Sequence, residues 1–98
     1  MAAIRSYLFV PGDRPERFDK ALASGAHAVI IDLEDAVAPE QKVRARDAIA
    51  AWLDARRPVY IRCNAYGTPW FDSDLSLLKQ DGVRGLVIPK AQEPDLLI

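Results

Sequence analysis

A single cysteine, Cys63, cannot close a disulfide within the chain, which excludes a disulfide-stapled secreted fold and favours a reducing compartment. One histidine, His27, leaves the sequence without the paired histidine and cysteine ligands of the common zinc sites. Neither sign of charge is in excess, since 13 Lys and Arg face 14 Asp and Glu for a net charge of -1. Without a run of like charge, nucleic acid and membrane surfaces are poor partners. No apolar stretch approaches the roughly 20 residues of a membrane span. The opening MAAIRSYLFVPGD has no secretory apolar region, so a cytoplasmic protein is expected. GxGxxG, Walker, paired CxxC and HExxH patterns are absent too, and with them the usual nucleotide and zinc-site signatures.

What remains is a chain of 98 residues, half of them apolar, enough for one domain over residues 1–98 with a modest core. Residues 6–10, SYLFV, read as a strand, and Pro15 opens a helix whose apolar positions Phe18, Ala21 and Leu22 share a face before Gly25 ends it. AVIIDLE, 28–34, is a second strand with the continuous apolar character of one covered on both sides. Pro39 opens a longer helix with a stripe of Ala45, Ala48, Ile49, Trp52 and Leu53, and with Glu40 placed to pair with Arg44. PVYIRCN, 58–64, and GLVIPK, 85–90, are further strands around a weaker helical piece at DLSLLKQ, which Gly82 ends. EPDLLI reads as the start of one more helix.

Strand and helix alternate without hairpin signals, which argues for parallel βα units. Their spacing is roughly 27 residues, and a complete eight-unit barrel takes about 250. The expected fold is therefore α/β, the N-terminal half of a TIM (β/α)8 barrel with about four parallel βα units, in a chain truncated from something longer, with a small open α/β sheet complete in itself as the alternative. Open edges and an uncovered inner face would then favour self-association or heavy disorder.

Barrel chemistry sits at the C-terminal ends of the strands. There the sequence places Arg14 and Lys20 after the first strand, in an arrangement suited to a phosphate, with solvated surface charge as the plainer alternative. Asp32, Glu34 and Asp35 follow the second strand; three carboxylates in four positions need a cation close by, from a divalent metal, Arg62 or Lys90. Each could also simply cap the following turn. Arg62 stands in an otherwise apolar strand, where a charge has to be paired, either by a substrate carboxylate or by Glu34. Lys90 permits a Schiff-base reading or a plain ion pair. Cys63, next to Arg62, faces the opposite side and is packing.

Taken in order and spacing, RSYLFVPGDRPERFDKAL, DLEDAVAPEQKVRAR, IRCNAYGTPWFDSDL and GLVIPK resemble the N-terminal part of the citrate lyase beta subunit and malyl-CoA lyase family. The resemblance implies a Mg²⁺-dependent carbon–carbon lyase of aldolase type, cleaving citryl-CoA, malyl-CoA or a related 3-hydroxyacyl thioester into an acetyl thioester and a 2-keto acid. It implies Phe9, Arg14 and Lys20 as contacts to coenzyme A, or to the same thioester on an acyl carrier protein. Arg62 would bind the keto acid, Asp35 and Glu34 would be catalytic carboxylates, and Asp32 and Lys90 would support them. Both metal ligands are expected downstream of residue 98, and homo-oligomers, commonly trimers, are the family habit. Two alternatives stay open: a non-catalytic acyl-CoA or phosphate-binding module, and a Schiff-base aldolase using Lys90.

Overall fold

The computed structural model describes residues 6–89 and 95–97. Short runs of aromatic and β-branched residues form four parallel strands, β1 (Tyr7–Pro11), β2 (Ala28–Asp32), β3 (Val59–Arg62) and β4 (Val83–Ile88). A 3-10 turn, Pro15–Arg17, leads into α1 (Phe18–Leu22), and a second, Pro39–Gln41, leads into α2 (Lys42–Trp52). Both begin on a proline, whose missing N–H costs nothing at a helix start. The third connection holds α3 (Phe71–Leu75) and a closing 3-10 turn, Ser76–Lys79. Strands adjacent in sequence are adjacent in the sheet, in the order β1-β2-β3-β4. That order winds steadily one way, as consecutive units of a (β/α)8 barrel do, whereas a doubly wound sheet reverses at a switch point.

Strand alternation divides the side chains between two faces. Val10, Val29, Ile31, Val59, Ile61 and Leu86 enter the main core with Phe18, Ala21, Ala45, Ile49 and Leu77 from the helical segments. Each Val, Leu, Ile or Phe among them contributes about 1.5–3 kcal/mol by leaving water, and the alanines less. The ring of Trp52 closes over Phe18, edge to face at 5.1 Å, and its indole N–H donates to Asp19 at 3.0 Å, tying α2 to α1. On the other face the register brings Phe9, Ile30, Tyr60 and Gly85 into one row and Pro11, Asp32, Arg62 and Val87 into the next.

Two expectations need correction. Residues 95–97 of EPDLLI form a strand, β5 (Asp95–Leu97), antiparallel to β4, where a helix was expected. The outer edge of β4 offers a row of backbone donors and acceptors, and pairing there satisfies more groups than a helical nucleus of a few residues could. Glu40 also makes no ion pair with Arg44: it lies in the 3-10 turn, outside the α-helical spacing that such a pair needs. Among the described residues no helix is long and apolar enough to cross a membrane.

Candidate functional site

The second strand ends at Asp32, earlier than its apolar run suggests, and residues 33–38 turn back towards α2. Asp32 is 2 % exposed, and it stays ionised because four donors converge on it. Its Oδ1 accepts the Glu34 N–H at 2.8 Å and Arg62 Nε at 2.9 Å; its Oδ2 accepts the Ala36 N–H at 3.1 Å and Arg62 Nη2 at 2.6 Å. Burial alone would raise its pKa. The Arg62 hydrogen bonds, the backbone N–H groups and the guanidinium charge outweigh it, so the carboxyl lies below the ordinary range. The pairing follows from register, since Asp32 and Arg62 are direct cross-strand partners on the same face.

Arg62 is thus held chiefly by Asp32, while the ion pair with Glu34, one of the two partners considered for it, is also formed but is looser. Glu34 Oε1 stands 3.8 Å from Arg62 Nε, against 2.6 Å for the closest Asp32 contact. The guanidinium also lies over the Phe9 ring, 5.0 Å from its centroid, and Phe9 is itself 45 % exposed on that face. Asp32 takes the Nε–Nη2 edge of the fork. The Nη1–Nη2 end carries no hydrogen bond to a described residue through Nη1, which leaves a second planar edge suited to a carboxylate. Burial and the Asp35 charge push the Glu34 carboxyl up despite Arg62, with Asp32 adding to the rise.

The structure brings together Phe9, Asp32, Glu34 and Arg62. Asp35 lies exposed in the same turn and makes no ion pair with Arg62, though its charge is felt by Glu34. Arg14 and Lys20 are exposed, on the turn after β1 and on α1, and neither makes an ion pair among the described residues. Lys90 lies outside the described residues. Cys63 is fully buried in the main core as expected, and burial raises its thiol to about 11. Gly12 allows β1 to leave the sheet at this end: its N–H donates to the Asp32 carbonyl at 2.8 Å, and a Cβ there would meet the same oxygen at 2.8 Å.

Sequence reading missed two buried polar groups. Lys42 opens α2 only 6 % exposed, with Nζ donating to the carbonyls of Leu33 at 2.9 Å and Glu34 at 2.8 Å. A signal was present, because Lys42 occupies the same helical stripe as Ala45 and Ile49. Asp74, 1 % exposed, accepts from the Asn64 backbone at 2.9 Å and side chain at 2.6 Å, and Arg46 of α2 approaches within 3.5 Å. This pins the loop that follows Arg62, and nothing local in the sequence announces it.

The described residues contain no group of three acids, histidines or cysteines placed to hold a metal ion. Asp32 in particular has its acceptor positions filled by Arg62 and two backbone N–H groups, so the residues present do not by themselves fit a divalent cation.

Residues 5–97 match the family model described as HpcH/HpaI aldolase/citrate lyase. A citrate lyase subunit beta-like protein of Mycobacterium tuberculosis is 47% identical over 92 residues, which cover 93% of this chain and 33% of that protein. An L-malyl-CoA/beta-methylmalyl-CoA lyase of Cereibacter sphaeroides is 40% identical over 93 residues, covering 88% and 29% respectively. Among solved structures, the CitE protein of M. tuberculosis in complex with magnesium, acetoacetate and coenzyme A superposes with a TM-score of 0.76 at 46% identity, over 92% of this chain and 33% of that one. The citrate lyase beta subunit of the same organism, complexed with oxaloacetate and magnesium, gives 0.76 and 46%, over 92% and 40%. The chain spans about a third of the length of the curated relatives it matches.

Proposed function

We propose that this chain, which belongs to the HpcH/HpaI aldolase/citrate lyase family, forms the N-terminal part of a magnesium-dependent carbon–carbon lyase. The reaction is cleavage of a 3-hydroxyacyl thioester of the citryl-CoA or malyl-CoA kind into an acetyl thioester and a 2-keto acid. One observation carries the reading: Arg62 sits on the side-chain row at the C-terminal ends of β2 and β3, locked on one edge by Asp32, with its other edge presented. A fork fixed in this way can take the keto acid carboxylate bidentately with little further loss of freedom. Asp32 orients Arg62 and does not itself reach substrate.

Phe9 flanks the guanidinium and gives the bound acid an apolar wall. Glu34 and Asp35 are the carboxylates nearest the reacting carbons, and Glu34, half-buried beside Arg62 with its carboxyl pushed up by burial, is the one assigned to proton exchange. Arg14 and Lys20 extend towards the anionic end of the thioester carrier, coenzyme A or an acyl carrier protein; Lys90 would support the site from β4. Magnesium would take its ligands from parts of the enzyme outside the described residues and would polarise the keto acid oxygen. A cytoplasmic homo-oligomer, a trimer among the possible forms, completes the reading.

The test is made on the full-length chain that contains these residues, assayed with citryl-CoA and malyl-CoA in the presence of Mg²⁺. Arg62→Lys keeps the charge but loses the fork, and should lower kcat/KM by roughly 10- to 100-fold, mostly through KM for the keto acid in the synthetic direction. An unchanged KM in a folded variant would reject the assignment of Arg62. Absence of thioester cleavage in the wild type would reject the lyase reading, in favour of a binding module.

A further inference from the structure

A buried lysine normally meets a carboxylate, yet Lys42 makes no ion pair within 4.0 Å among the described residues. Its close acceptors are two backbone carbonyls, those of Leu33 and Glu34, and the Trp70 ring covers it from the α3 side at 5.2 Å from the centroid. Those two carbonyls belong to the residues directly after Asp32. The turn is therefore gripped from both sides, by Arg62 through the Asp32 side chain and by Lys42 through the backbone. Four carboxylates, Asp32, Glu34, Asp74 and Asp35, act on the ammonium through charge and oppose the lowering that burial causes.

We propose that Lys42 is a positioning residue for the substrate site: it holds the Leu33 and Glu34 carbonyls so that the Glu34 carboxyl stays beside Arg62. Its ammonium is also the second cation of the cluster. With Arg62 alone, two neighbouring carboxylates would share one charge partner; with Lys42 beneath the turn, Asp32 stays on Arg62 and Glu34 is stabilised from below. Asp35, Arg62 and Asp32 bear on the Glu34 carboxyl, and the Glu34 charge in turn bears on the Lys42 ammonium, whose Nζ holds the Glu34 carbonyl at 2.8 Å. This inference rests on the reading of Arg62 as the keto acid anchor, but its physical core, the hold of Lys42 on Glu34, can be measured without turnover.

The full-length chain with Lys42→Met or Lys42→Gln is compared with wild type by ¹³C NMR of labelled glutamate carboxyls, with Glu34→Gln used to assign the resonance, and by kcat and KM across pH. Removing the ammonium should move the Glu34 titration, and with it the acid limb of kcat/KM, to higher pH. It should lower kcat/KM by roughly 10- to 100-fold. Lys42→Gln keeps an amide donor for the carbonyls, so it should recover part of kcat and none of the titration. A Glu34 titration unmoved in folded variants, with kcat/KM within about twofold of wild type, would leave Lys42 as a fold prop and overturn the proposal. Failure of both variants to fold would count the same way. Wild type without lyase turnover would overturn the proposed function instead, while the NMR titration would still decide the role of Lys42.

Discussion

Replacing Asp32 by asparagine keeps the shape of the side chain and removes one of its two acceptor oxygens, so donors that now converge on it would meet an N–H group. Breaking one side of a buried ion pair costs about 3–5 kcal/mol. The Arg62 side chain is 20 % exposed and water recovers part of its solvation, which lowers the expected loss to about 2–4 kcal/mol. With a urea slope of about 1–2 kcal/mol/M for a domain of this size, the unfolding midpoint should fall by about 1–4 M. Trp52 and Trp70 report the transition by fluorescence. The pH dependence supplies a sign. The folded pKa of Asp32 lies below the ordinary aspartate value of 3.8, so the stabilisation it gives is complete above about pH 4 and is lost as pH falls through the folded value. The difference between wild type and Asp32→Asn should therefore shrink on acidification below about pH 4. A cycle with Arg62→Met isolates the pair. Additivity within about 0.5 kcal/mol would refute the claim that Asp32 acts through Arg62.

Two further outcomes are expected. Gly12→Ala puts a Cβ 2.8 Å from the Asp32 carbonyl and 3.2 Å from Ile49 Cδ1, and should destabilise by about 1–3 kcal/mol; a thermal melt that did not move would show that the two strand ends can part freely. Cys63, buried with its thiol raised to about 11, should resist iodoacetamide at pH 8 in the folded protein and react only on unfolding, and rapid native alkylation seen by mass spectrometry would contradict the packing described.

The alternation of apolar runs with amphipathic segments, and the prolines that open the 3-10 turns leading into α1 and α2, were readable because each is written in neighbouring residues. So was the gathering of Phe9, Asp32, Glu34 and Arg62 at the C-terminal ends of β1 to β3. Partner choice was not. Glu34, two residues after Asp32 and on the same face of an ideal strand, was the carboxylate weighed for Arg62, and it does pair with it, but as the looser of two partners. The strand stops at Asp32, however, and the turn carries Glu34 away to 3.8 Å. The β5 strand escaped for a similar reason: its pairing depends on the free edge of β4, which no window of EPDLLI contains.

Local sequence thus determined which residues could be strand, helix or turn, and that a lone arginine in an apolar strand needed a carboxylate. The tertiary structure decided which one. Cross-strand register aligned Asp32 with Arg62, and α2, arriving from a later segment, carried Lys42 under the Leu33 and Glu34 carbonyls. Desolvation then made these contacts count, because a charge shielded from water is governed by its nearest partners, and those partners are set by packing between elements distant in sequence.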